Sequence, residues 1–211
     1  MSGALGRVLR VAVVEPGGLY EEVWLLNCDG GLIMVDVGSG ERFVEKTGEV
    51  LSAAQKSWGD VKLVILTHLP SQDGAGTLGK VLELSGHPEL LVGDGSFDEM
   101  LARAGVKPDM GLEGGDLIGA CGGIEVISAP DQPARDLCLY LREERIMIGG
   151  NTIGVGENGE LSIKAVGDDA AERKLLALRL LDYDFDILLT SHCEPLTLDV
   201  KAKIRRLVAE P

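Results

Sequence analysis

The chain has 211 residues, 45% of them hydrophobic and only 4% aromatic, which suits one domain with an aliphatic core. A formal net charge of −14 excludes nucleic acid and an anionic membrane as expected partners, and no Lys/Arg cluster suggests a local basic groove. No apolar run approaches the roughly 20 residues that span a bilayer.

Taken in order, Arg7–Val14 and Glu22–Leu26 read as antiparallel strands joined by a turn at Pro16–Gly18. Leu32–Val37 is a third strand, and Glu41–Trp58 a helix with Phe43, Val44, Val50, Leu51 and Ala54 on one face. Residues 61–66 form a buried strand that stops at Thr67-His68. A polar, glycine-bearing loop follows, and a helix is expected from about Thr77 to Ser85. Leu90–Val92 is a short strand, and Phe97–Ala104 a short helix with Ser96 as its N-cap. The glycine-rich Gly111–Gly123 lacks the GxxxxGK[ST] pattern and reads as turn and hairpin, not as a phosphate loop.

In the second half, Ile124–Ser128 is a strand followed by the polar loop Ala129–Asp136. Leu137–Leu141 and Ile146–Ile148 pair across the charged turn Arg142–Arg145. Residues 157–160 signal a hairpin turn. Asp168 or Asp169 caps a helix to about Leu181, with a stripe through Leu175, Leu176, Leu178 and Leu181. Phe185–Leu189 is a buried strand ending at Ser191-His192-Cys193, and Leu198–Val208 a basic-faced helix. Strands thus end in polar loops at Asp36, His68–Asp73, Asp131-Gln132, Asn151 and His192. This arrangement favours two stacked sheets with helices outside. Cys28, Cys121, Cys138 and Cys193 form no CxxC pair or zinc-ribbon spacing. The opening MSGALGRVLRVAVVEPGG has no signal-peptide pattern, so a cytoplasmic protein with free, mostly buried thiols is expected.

Five stretches, in order, resemble the motifs of the metallo-β-lactamase superfamily. LIMVDVGSG is similar to its strand ending in Asp-x-Gly, through Asp36 and Gly38. LVILTHLPSQDGAG resembles its Thr-His-x-His-x-Asp-His motif, ISAPDQPARDLCLYL the block holding a further histidine, IMIGGNTI its Gly-Asp-Thr-Leu, and LLTSHCEPL its closing Gly-His-Gly. The resemblance covers nearly the whole chain. It implies an α/β (α+β) fold, a four-layer αβ/βα sandwich in a single domain over residues 1–211.

The metal ligands that the resemblance implies are largely replaced. The first and last histidines stand as His68 and His192. The second histidine is Pro70, the aspartate is Gln72 and the third histidine is Asp73. The histidine of the next block is Gln132, and the bridging aspartate is Asn151. A catalytic zinc takes three protein ligands and leaves one position for water. Amides are weak zinc ligands and bring no charge, so a dinuclear centre is not expected. One reading is a closed polar network in the old metal cavity, with Asp73 pairing to His68 or His192 and Gln72, Gln132 and Asn151 among the cavity residues. The other is a single merged site of His68, Asp73 and His192 holding one zinc, iron or manganese ion, with Gln132 or Asn151 in support. Cys193 is a soft ligand on that reading or else an inert thiol. Ser71, near His68 and Asp73, has the residue types of a nucleophile triad, though sequence neighbours seldom have its geometry. Asp36 is expected to hydrogen-bond the neighbouring loop.

Two functions follow. The first is a hydrolase relative with a degenerate centre and no cofactor, binding a small molecule or a protein or serving structurally. The second is a mononuclear metal-dependent hydrolase of a small ester, thioester or lactone. A homodimer is compatible with a domain of this size, but no residues specify its surface.

Overall fold

The computed structural model describes residues 6–14, 20–128, 136–156, 160–163 and 170–209. The central strands are apolar on both faces, so each sheet needs cover on both sides. β1 (Val8–Val14), β2 (Tyr20–Cys28), β3 (Gly31–Val35), β4 (Val61–Leu66), β5 (Glu89–Gly93) and β6 (Met110–Leu112) form one sheet in sequence order. β1–β2–β3 is an antiparallel meander, and β3 through β6 pair in parallel. The chain continues with β7 (Leu117–Ile118), β8 (Ile124–Ser128), β9 (Leu137–Leu141), β10 (Ile146–Gly150), the hairpin strands β11 (Ile153–Val155) and β12 (Leu161–Ile163), and β13 (Ile187–Thr190). The second sheet has the order β13-β10-β9-β8-β7, parallel only between β10 and β13.

Side-chain alternation sorts the core into three packed interiors. Trp24, Leu26, Ile33, Val35 and Ile65 of the first sheet meet Val126, Leu139, Ile148 and Leu189 of the second. Their neighbours Leu25, Leu32, Met34 and Val64 face away, against Phe43 and Leu51 of α1 (Gly40–Ala53), Leu78 and Val81 of α2 (Gln72–Leu84) and Met100 of α3 (Phe97–Ala104). On the far side, Met147 and Leu188 pack under Leu176 and Leu180 of α4 (Ala170–Leu181) and Ile204 of α5 (Val200–Ala209). The result is helix, sheet, sheet, helix, as the resemblance implied. No helix among the described residues is long and apolar enough to cross a membrane.

Several local expectations are corrected. α1 ends at Ala53 instead of reaching Trp58, because Gln55 takes a left-handed backbone (φ 57°). Residues Trp58–Asp60 form a separate 3₁₀ turn. α2 begins at Gln72, five residues before the expected Thr77. Ser71 explains the early start: its hydroxyl accepts the Gly74 N–H as an N-cap, and Asp73 lies in the first turn, where a negative charge suits the helix dipole. Ser96 makes no side-chain cap for α3 and belongs to a preceding 3₁₀ turn. In α4 the buried positions are Leu176, Ala177 and Leu180, and Leu175 and Leu178 are exposed. The turn at Pro16–Gly18, the caps Asp168 and Asp169, and Asp131-Gln132 lie outside the described residues.

The cysteines also differ from expectation. Cys28, at the end of β2, and Cys121, in the turn between β7 and β8, are joined by a disulfide across a sequence separation of 93. It ties the two sheets together, and only the stacking of the sheets brings residues so distant in sequence into range. Cys138 and Cys193 are free thiols; burial pushes Cys138 up to about 12, with Asp136 adding to the effect.

Candidate functional site

The parallel strands β3 and β4 end at one edge of the sandwich. β2 runs against β3, so its first residues lie at the same edge. β10 and β13 of the second sheet finish there too. Backbone hydrogen bonds close this edge across the sheets, with Glu22 N donating to Ser191 O (2.8 Å) and Leu137 N to Thr67 O (2.7 Å), and within the second sheet Ser191 N donates to Gly150 O (3.0 Å). The indole of buried Trp24 donates to Thr190 O (3.3 Å). Between these ends lies a cleft of about 310 Å³, lined by Glu21, Glu22, Asp36, Ser39, His68, Ser71, Asn151, Ser191 and His192, with Val23, Val37, Leu69 and Pro70 as its apolar wall.

Asp36 organises one side. It is 3% exposed and adopts φ 65°, a left-handed conformation that aspartate tolerates better than most residues. Its Oδ1 accepts the Thr67 N–H (2.7 Å) and its Oδ2 the Thr67 hydroxyl (2.7 Å), with the Ser191 hydroxyl at 3.5 Å. His68 Nδ1 lies 3.4 Å from Asp36 Oδ1 and 3.1 Å from the Thr67 hydroxyl. Burial raises the Asp36 pKa, but the charge of His68 and the hydrogen bonds from His68 and Thr67 outweigh it and hold the carboxyl below its ordinary 3.8. Gly150 presses on this cluster: a Cβ there would collide with Thr67 Oγ1.

The opposite side is more open. His192 is exposed, and its Nε2 lies 3.1 Å from Asn151 Oδ1, a pairing in which the ring N–H donates to the amide oxygen. Cys193 Sγ lies 2.8 Å from the Thr190 hydroxyl. Burial raises this thiol above its ordinary range, which suits an inert thiol.

A third group lines the cleft through β2. Both oxygens of Glu21 accept from Ser39: Oε2 from the N–H (2.8 Å) and Oε1 from the hydroxyl (2.9 Å). Ser39 Oγ lies 3.4 Å from Ser71 Oγ. Glu22 is buried and takes the Arg10 Nε–H (2.6 Å), while Arg10 also reaches Glu194 (2.6 Å).

Thus His68, Asn151 and His192 come to one cleft as the sequence suggested. Gln72 and Asp73 do not line it; both are exposed on the first turn of α2. The carboxylate beside His68 is that of Asp36, the loop partner expected of it, instead of the expected Asp73. Ser71 caps a helix and contacts Ser39, an arrangement unlike a triad with Asp73. Gln132 lies outside the described residues. Among the described residues no group of three His, Cys, Asp or Glu side chains is placed to hold a metal ion. Sequence reading missed Glu21 and Glu22, whose only signal was two adjacent acids opening an otherwise apolar strand.

No protein-family model matches the chain, and no curated protein matches it. Solved structures do. A metallo-beta-lactamase family protein from Thermus thermophilus superposes with a TM-score of 0.72 at 19% identity, over 97% of this chain and 79% of that one. The chain has the metallo-β-lactamase fold. A metallo-beta-lactamase from Pontibacter korlensis gives the same TM-score, 0.72, at 17% identity, covering 97% of this chain and 96% of that one. A flavo di-iron protein from Thermotoga maritima matches with a TM-score of 0.70 at 16% identity; the chain spans 57% of that protein's length. Within this fold, four of the five motif-like stretches supply residues to the cleft, through Asp36, His68, Asn151 and His192.

Proposed function

We propose that this metallo-β-lactamase-fold protein does not assemble a two-metal hydrolytic centre and uses its cleft to bind a small molecule. The reading is supported above all by Asp73, the replacement ligand, which sits on the exposed first turn of α2 outside the cleft lining. Of the two remaining imidazoles, His192 turns its Nε2 to the neutral amide of Asn151, while Asp36 and Thr67 orient His68 through its Nδ1, so at most one imidazole is left where a dinuclear centre needs several donors. Asn151 stands where the resemblance implies a bridging carboxylate, and an amide offers no charge to balance two dications. The donors among the described residues therefore do not fit a dinuclear site. The cleft is small, and its polar groups converge beside an apolar wall of fewer residues, which suits a small polar ligand with a short hydrocarbon part.

A hydrolysis assay tests this reading. The purified chain is offered a nitrophenyl ester, an acyl thioester and a lactone, with and without added zinc or manganese. The expected rate equals that of buffer. Metal-stimulated turnover that disappears in both His68→Ala and His192→Ala would instead establish a divergent hydrolase with one metal.

A further inference from the structure

Among the described residues, Glu21 is the acid of the cleft with no basic side chain against it. Glu22 has Arg10, and Asp36 lies against the His68 imidazole. Glu21 is half-buried on the cleft wall and takes two hydrogen bonds from Ser39, both from neutral donors. Among the described residues no ion pair engages it, and no lysine or arginine lines the cleft. The Ser39 hydroxyl and N–H fix the carboxylate in place, and Gly38 leaves room for it and for the Phe43 ring, since a Cβ there would lie 2.9 Å from Glu21 Oε2 and 2.6 Å from Phe43 Cδ2. A preorganised carboxylate in a partly desolvated pocket attracts a cation and repels an anion, and the low local dielectric strengthens both effects. The apolar wall of Val23, Val37, Leu69 and Pro70 lies in the same cleft.

We propose that the ligand of this cleft is a small organic ammonium compound, its nitrogen held by Glu21 and its hydrocarbon part against Val37, Leu69 and Pro70. The proposal rests on the ligand-binding reading above and makes it specific. It excludes phosphorylated and carboxylated molecules as the preferred occupants.

Three probes of similar shape test it: phenethylamine, phenethyl alcohol and phenylacetate, titrated into the full chain. The readout is the imidazole NMR signals. The chain has three histidines; His68 and His192 line the cleft, and exposed His87 serves as the internal control for nonspecific attraction to an acidic protein. Phenethylamine is expected to move the His68 and His192 signals, leave His87 in place, and bind about five-fold more tightly than phenylacetate, the scale of one partly exposed ion pair. Glu21→Gln keeps an acceptor for Ser39 and should remove the preference, whereas Glu113→Gln, an exposed acid outside the cleft, should not. Equal or tighter binding of phenylacetate at the same two histidines would overturn the ammonium assignment and leave the binding pocket standing. A preference that survives Glu21→Gln would remove Glu21 as the anchor. Failure of every probe to move either cleft signal would overturn the pocket as well. The comparison of probes on the unaltered chain decides the matter even if a variant fails to fold.

Discussion

The two walls of the cleft are built differently. On the wall formed by β3 and β4, a buried carboxylate gathers a backbone N–H, two hydroxyls and an imidazole around Asp36. On the wall formed by β10 and β13, exposed His192 meets the amide of Asn151. The first cluster ties the end of β3 to the loops after β4 and β13. The second was free to change, because a histidine in solvent loses little when its neighbour becomes an amide. On the reading proposed above, the fold keeps the outline of a metal site without its ligand set, since residues such as Asp36 and Thr67 shape that outline through hydrogen bonds.

Breaking the buried wall should have the largest effect. Asp36→Ala leaves the Thr67 N–H and hydroxyl without their acceptor and should cost about 3 kcal/mol, read from urea unfolding midpoints. Gly150→Ala attacks the same cluster from outside. Its φ of 51° disfavours a side chain, and the new Cβ would collide with Thr67, so about 2 kcal/mol of destabilisation is expected by the same measurement.

Acid should find the same weak point. Because the folded-state pKa of Asp36 lies below its ordinary 3.8, its contribution to stability is complete above that pH and drains away as pH falls toward the folded value. Unfolding midpoints measured from pH 6 down to pH 3 should fall less steeply in Asp36→Asn than in the unaltered chain. The open wall gives the smallest effect. His192→Ala should change stability by no more than about 0.5 kcal/mol. A loss comparable to that of Asp36→Ala would erase the distinction between the walls.

The contrast also explains what the sequence made legible. The stacked sheets were readable because aliphatic runs mark buried strands and alternate with helical segments, while the four-layer order was what the resemblance implied; Ile33 and Met34, on opposite faces of one strand, show why such runs are apolar throughout. The convergence of His68, Asn151 and His192 was readable because strand ends in a stacked α/β fold share an edge. The place of Asp73 was not. Gly74 and Gly76 resemble loop residues, and the helix start depends on one hydroxyl, that of Ser71, accepting one N–H. Moving the start of α2 from Thr77 to Gln72 turned an expected loop ligand into an exposed helical residue. The Cys28–Cys121 pairing was hidden for a related reason: a separation of 93 residues says nothing about which sheet edges stack. Glu21 was missed because its role comes from Ser39 on another segment, not from any local pattern.

Metal content answers the central question most directly. The chain, purified without chelator, is dialysed against excess zinc and then against metal-free buffer, and bound metal is counted by mass spectrometry beside a His68→Ala variant. Retention of less than one equivalent, the same in both proteins, is the expected result. Two tightly held equivalents that vanish with His68 would mean that the cleft still assembles a dinuclear centre, and would contradict the claim that its ligands have been lost.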